Sequence, residues 1–229
     1  MKFIKPDKSI IEKAKPYIGP YSDPILRVIY YDKLKRVFNY LKNRRWKLIL
    51  EIGCGEGFLL QSLCQIGEKV IGSDIKETIE FSKKITLNEI KKKCTNLELK
   101  EIDVKHLSSV IDKESCDVIV AVSVLEHIPE YKIAIEEIKT CLKPKGIFVC
   151  VIPTENTLYK IGRKVIGYHN EYHKAYNFED LRAFLPKNFH EVKTWFSPFH
   201  FPLFFSGAYQ KPRNIIVEGS SYEHHLDLG

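Results

Sequence analysis

Glu51-Ile-Gly-Cys-Gly-Glu-Gly57 places a glycine at every second position from 53 to 57. Gly53 and Gly55 let the chain turn sharply and bring backbone N–H groups against a ligand. In a dinucleotide-binding turn the sixth position of G-x-G-x-x-G is Gly or Ala. Here it is Phe58, which crowds a pyrophosphate and points to a nucleotide-like ligand without one. Asp74 follows at about the distance, roughly twenty residues, at which an acid meets a ribose in such sites. Its carboxylate has lone pairs for both ribose hydroxyls. Asp103 can accept from an adenine amino group. Ser123-Val-Leu-Glu-His127 gathers a hydroxyl, a carboxylate and an imidazole in one short run. Farther on, Tyr159, Arg163, His169, Tyr172 and His173 supply groups able to meet phosphate, carboxylate or hydroxyls. Singly, Asp74 and Asp103 are of a kind more often found as helix caps or loop acids than as ligand contacts. Together they make one crevice only if the fold aligns the segments that carry them.

The hydrophobic pattern supplies that alignment. Asp23-Pro24 opens a helix, with Asp as N-cap and Pro at the first helical position. Ile25, Ile29, Leu34, Val37, Phe38 and Leu41 form its expected apolar face. A strand is predicted at 48–52, then a helix at 58–66 closed by Gly67. A strand at 70–73, a helix at 76–93 and a strand at 97–102 follow. The continuous apolar run 117–122 reads as a central parallel strand. A helix at 131–142, a turn at Pro144-Lys-Gly146 and a strand at 147–152 continue the alternation. Asn177 is expected to cap a helix running through Leu185, stopped by Pro186. Two final strands are expected at 192–196 and 203–211. Alternating strands and helices predict an α/β, doubly wound parallel sheet. Ligands of such sheets bind beyond the carboxyl ends of the strands. Asp74 and Asp103 end successive strands there, and Ser123–His127 follows strand four.

The totals narrow the class. A chain of 229 residues with 44% hydrophobic and 28% charged residues suits one soluble domain. No run is apolar enough to span a bilayer and no secretory signal opens the chain, so a cytoplasmic location is expected. The six cysteines lack metal-ligand spacing and are expected to be reduced core residues. The net charge of +7 is spread along the chain, which reads as a lysine-rich solvated surface more than a nucleic-acid footprint.

Residues 45–152 resemble the class I S-adenosylmethionine-dependent methyltransferases, most closely the group that includes the ubiquinone and menaquinone biosynthesis enzymes. Four motifs carry the resemblance: Leu-Glu-Ile-Gly-Cys-Gly-Glu-Gly (50–57), Ile-Gly-Ser-Asp (71–74), Asp-Val-Ile-Val-Ala-Val-Ser-Val-Leu-Glu-His-Ile (117–128) and Leu-Lys-Pro-Lys-Gly-Ile-Phe (142–148). The resemblance implies a Rossmann-like, seven-stranded mixed sheet flanked by helices, with a C-terminal antiparallel hairpin whose last strand inserts between strands five and six. It implies S-adenosyl-L-methionine as cofactor and S-adenosyl-L-homocysteine as product. The cofactor's amino-acid part falls on Gly53, Cys54 and Gly55, beside Glu51. The ribose falls on Asp74, the adenine beside Ile75, Asp103 and Val104, and the reactive end against Ser123 and Val124.

The implied reaction moves a methyl group to the oxygen or nitrogen of a small-molecule acceptor. Positioning supplies much of the rate, and a base is needed only where the acceptor must lose a proton. His127 is the candidate base, weighed against a purely structural role. Some relatives hold a divalent metal through an acid three residues before a Glu-His pair. Ser123 stands at that position, so no metal is expected. The expected division is one domain over 1–212: N-terminal helices (1–45), cofactor-binding core (46–152), acceptor-side insertion or lid (153–176), and final helix and strands (177–212). A polar tail (213–229) follows. A monomer or homodimer without a nucleic-acid partner is expected. The competing readings are an RNA methyltransferase, a non-catalytic S-adenosylmethionine-binding protein, and, disfavoured by Phe58, a nicotinamide-dependent oxidoreductase.

Overall fold

The computed structural model describes residues 1–16, 18–157, 178–198 and 201–213. Seven strands form one sheet in the order β3-β2-β1-β4-β5-β7-β6. They are β1 (Trp46–Ile52), β2 (Gly67–Asp74), β3 (Leu97–Glu101), β4 (Cys116–Val122), β5 (Leu142–Pro153), β6 (His190–Ser197) and β7 (Phe204–Gln210). The first five are parallel. β7 runs antiparallel between β5 and β6, as the expected terminal hairpin requires.

The sheet is buried on both faces, because period-two alternation divides apolar residues between two layers. Ile49, Val70, Val118, Val120 and Val149 pack on one side, together with α2 (Pro24–Leu41) and α3 (Leu60–Cys64). Leu50, Ile52, Ile119, Ala121, Phe148 and Cys150 pack on the other. There they meet α6 (Tyr131–Cys141) and α7 (Phe178–Asn188). α1 (Lys8–Ala14) buries Ile10, Ile11 and Ala14 on the first side. α4 (Lys76–Ser82) and α5 (Asn88–Lys93) realise the helix expected over 76–93, joined by a π-helical turn at Lys83–Leu87. All six cysteines are free thiols, five of them buried.

α2 begins where its cap dictates. The Asp23 carboxylate accepts from the Ile25 and Leu26 N–H groups at 2.8 and 2.9 Å. Its apolar face differs from expectation at one end. Ile25 is 76% exposed, while Lys33 takes a place in the buried stripe beside Tyr31, Leu34, Val37, Phe38 and Leu41.

Three boundaries also depart from the pattern. The helix expected over 58–66 is shorter, Leu60–Cys64, with Phe58 and Leu59 in the turn that leads into it. Gly67 opens β2, pairing with Trp46, and does not cap that helix. Pro186 lies inside α7, which runs on to Asn188 because Leu185 and Phe189 are both buried on the core. The expected Asn177 cap and the 214–229 part of the tail lie outside the described residues.

Candidate functional site

A cavity of about 500 Å³ opens at the carboxyl ends of β1, β2 and β4. Its floor is the turn after β1. Gly53 and Gly55 hold φ of +61° and +49°, left-handed values that L side chains rarely adopt. The Cys54 N–H donates to Ser73 O at 2.9 Å, tying the turn to β2. A Cβ on Gly53 would stand 2.3 Å from Val124 Cγ2, so only glycine lets the two turns meet. A Cβ on Gly55 would meet nothing within 4 Å. Space above Gly55 therefore belongs to the cavity.

The acids divide the cavity. Asp74 ends β2, and its Oδ2 accepts from the Gly55 N–H at 2.9 Å while Oδ1 accepts from the Ile75 N–H at 2.8 Å. Thr78 donates to the same carboxylate, so one of its roughly four acceptor sites stays open. Burial pushes the Asp74 carboxyl up, while those amide bonds and Thr78 pull it down. Glu51 is the penultimate residue of β1, 4% exposed, and its Oε2 has no hydrogen-bond partner among the described residues. Burial, reinforced by Asp74, pushes Glu51 well above the usual carboxylate range. A buried, unpartnered carboxyl beside a ligand-sized space fits a cationic ligand group. Asp103 is exposed. Its Oδ1 accepts from the Lys105 N–H at 3.0 Å and caps the short helix Val104–Ser109, while Asp103 still lines the cavity beside Ile102 and Val104.

The turn after β4 forms the opposite wall. Ser123 adopts φ +56°, unusual for a residue with a side chain. Leu125–His127 is one helical turn in which Glu126 is buried and His127 exposed at the rim. Phe58, Tyr21 and Tyr30 complete the lining, with the Tyr21 and Phe58 rings packed edge to face at 4.9 Å.

The fold thus brings Glu51, Gly53, Cys54, Gly55, Asp74, Ile75, Asp103, Val104, Ser123, Val124 and His127 onto one cavity. Tyr159, Arg163, His169, Tyr172 and His173 lie outside the described residues. Lys33, which lines the same cavity, was missed from sequence. The signal was there: Lys33 stands four residues before Val37, inside the apolar stripe of α2.

Comparison with known proteins agrees with this architecture. Residues 50–150 match the methyltransferase domain family. The ubiquinone biosynthesis O-methyltransferase of Haemophilus ducreyi is 29% identical over 168 residues, 70% of this chain and 65% of that protein. The enzyme of the same name from Bradyrhizobium diazoefficiens is 27% identical over 155 residues, 66% of this chain and 53% of that protein. The chain thus spans between about half and two thirds of these curated relatives. Magnesium protoporphyrin IX methyltransferase from Synechocystis PCC 6803, solved with bound S-adenosylhomocysteine, superposes with a TM-score of 0.64 at 17% identity. That match covers 90% of this chain and 100% of that one.

Proposed function

We propose, on the premise that its core is a class I S-adenosylmethionine-dependent methyltransferase domain, that this chain methylates the oxygen or nitrogen of a small-molecule acceptor. One observation carries the reading. The cavity joins a left-handed glycine turn, a buried unpartnered Glu51 and an amide-anchored Asp74 at the carboxyl ends of adjacent parallel strands.

Those groups suit the parts of S-adenosylmethionine in order. Glu51 and the 53–55 turn would take the amino-acid part, the buried carboxylate facing its ammonium. Asp74 would accept from a ribose hydroxyl through its remaining lone pair. Ile75, Asp103 and Val104 would flank the adenine, and Ser123 and Val124 would border the reactive end. Phe58, which would crowd a pyrophosphate, lines the same cavity.

S-adenosylmethionine, when bound, supplies a methyl group on a positively charged sulfur, which departs as a neutral thioether. The chain's residues would position the acceptor against that group and exclude water from it. His127, at the rim, would take the acceptor's proton at its imidazole nitrogen. Residues 153–176 would supply the acceptor-side lid, since β5 ends at Pro153.

Calorimetric titration with S-adenosylhomocysteine and with NAD tests the cofactor half. Saturable heat from the first alone is expected. Methyl transfer to a panel of small phenols, amines and carboxylic acids then tests the activity. Binding of NAD in preference to S-adenosylhomocysteine would overturn the assignment, and tight cofactor binding without turnover on any acceptor would favour a non-catalytic binder.

A further inference from the structure

Lys33 is a cation placed where packing alone would put an apolar residue. It lies in the buried stripe of α2 with 3% of its surface exposed, and it lines the cavity. Its Nζ donates to Ser123 Oγ at 2.8 Å, a contact between residues 90 positions apart. The same nitrogen stands 4.5 Å from the ring centres of Tyr30 and Phe204. An ammonium has three N–H donors. Ser123 takes one, and ring faces stabilise a cation without accepting a conventional hydrogen bond.

The described surroundings leave this charge poorly compensated. Among the described residues, the titratable groups facing it are Tyr30 on its own helix and Glu126 on the turn after β4, and Ser123 and Phe204 are its other contacts. Glu126 is itself buried, keeps Oε2 without a hydrogen-bond partner among the described residues, and feels Glu155 as a like charge. Ser123 also hydrogen-bonds to Glu126. Burial lowers the Lys33 ammonium to about 8, opposed by Glu126, and raises the Glu126 carboxyl to about 7, opposed by Lys33. Isolated buried charges are costly, and a pair this imperfect recovers little of that cost. A ligand oxyanion entering beside Ser123 would fill the remaining donors of the ammonium.

We propose that Lys33 is an acceptor-binding residue that selects acceptors presenting an oxyanion, a carboxylate or ionised hydroxyl, at the Ser123 end of the cavity. The proposal rests on the methyltransferase reading, since it assigns the acceptor half of the same site. Neutral acceptors of the same shape would leave the ammonium under-coordinated and lose affinity.

The experiment uses the full chain saturated with S-adenosylhomocysteine, so that the cofactor half is filled. Two matched pairs are titrated by ligand-observed NMR: benzoate against benzamide, and para-nitrophenol against para-nitroanisole. The visible spectrum of para-nitrophenol reports its ionisation on the protein. The wild-type protein is expected to prefer each anion over its neutral partner by about tenfold or more, the scale of a hydrogen bond to a charged group. Lys33→Met should erase that preference, and Lys33→Arg should keep part of it. S-adenosylhomocysteine affinity should stay within about threefold in both variants, which also shows that they fold. No anion preference in the wild-type protein, or the same preference in Lys33→Met, overturns the proposal and leaves the methyltransferase reading intact. Loss of S-adenosylhomocysteine binding in Lys33→Met alone also overturns it, because Lys33 would then serve the cofactor. Absence of S-adenosylhomocysteine binding in the wild-type protein removes both.

Discussion

Gly53 and Gly55 share a left-handed backbone but face different surroundings, and alanine should separate the two effects. At either position a non-glycine residue in this region costs on the order of 1 kcal/mol in backbone strain. At Gly53 the new methyl would also lie 2.3 Å from Val124 Cγ2 and 2.8 Å from Cγ1, so the turn or Val124 must move. Overpacking of that kind adds about 1–3 kcal/mol. Gly53→Ala should therefore cost about 3 kcal/mol, and Gly55→Ala about 1 kcal/mol. In a chain of this size those figures correspond to Tm losses of roughly 6–12 °C and 2–4 °C. Thermal unfolding followed by circular dichroism measures both. Val124→Ala in the Gly53→Ala background should recover the steric part and leave the backbone part. The Gly55 methyl would occupy cavity space, so Gly55→Ala should weaken S-adenosylhomocysteine at least about tenfold despite its small effect on Tm. Equal Tm losses for the two alanine variants, or no recovery with Val124→Ala, would refute the reasoning from turn geometry. Undiminished ligand affinity in Gly55→Ala would refute the placement of the ligand.

Glu51→Gln should weaken S-adenosylhomocysteine about tenfold to a hundredfold, measured calorimetrically, because a neutral amide cannot pair with an ammonium. Burial raises the Glu51 carboxyl, so the free protein favours its protonated form and loses stability as pH climbs through that raised value. A cationic ligand favours the carboxylate. Affinity should then fall as pH drops through the raised value, beginning above the ordinary 4.5, and Glu51→Gln should flatten the profile. Lys33→Met should raise Tm near pH 7, by an amount corresponding to about 1–2 kcal/mol once the opposing effect of Glu126 is allowed for. Because the Lys33 ammonium is lowered from 10.5 to about 8, wild-type stability recovers as pH rises between those values, so the gap should narrow above pH 8. Melting curves across that range check the sign. His127→Ala should cut kcat by about a hundredfold or more with cofactor affinity unchanged, and full turnover would end its role as base. Arg163→Ala should raise the acceptor KM if residues 153–176 form the lid, and an unchanged KM would remove that role.

Much of the cavity's lining was legible in the sequence because local rules govern it. A glycine turn after a buried strand, an acid at the end of the next strand and a short polar run after the fourth follow from strand period and turn chemistry. Parallel pairing then carries those segments to one edge. Errors of detail fell where long-range packing overrode a local rule. Pro186 did not stop α7, because Leu185 and Phe189 both reach the core. Gly67 did not end a helix, because β1 recruited it into a strand pair. Ile25 stayed exposed although its spacing fits the α2 face.

Lys33 marks the boundary most sharply. Helical spacing put position 33 on the apolar stripe, and nothing within α2 could say what that stripe would meet. Tertiary structure laid the helix against β7 and the turn after β4, bringing the ammonium between Tyr30, Phe204 and Ser123. The sequence by itself determined the glycine turn, the acids at the strand ends and the order of strands and helices, because these rest on residues close in the chain. Only the packing of distant elements decided which charges became buried, and so which groups at the Ser123 end of the cavity are available for chemistry.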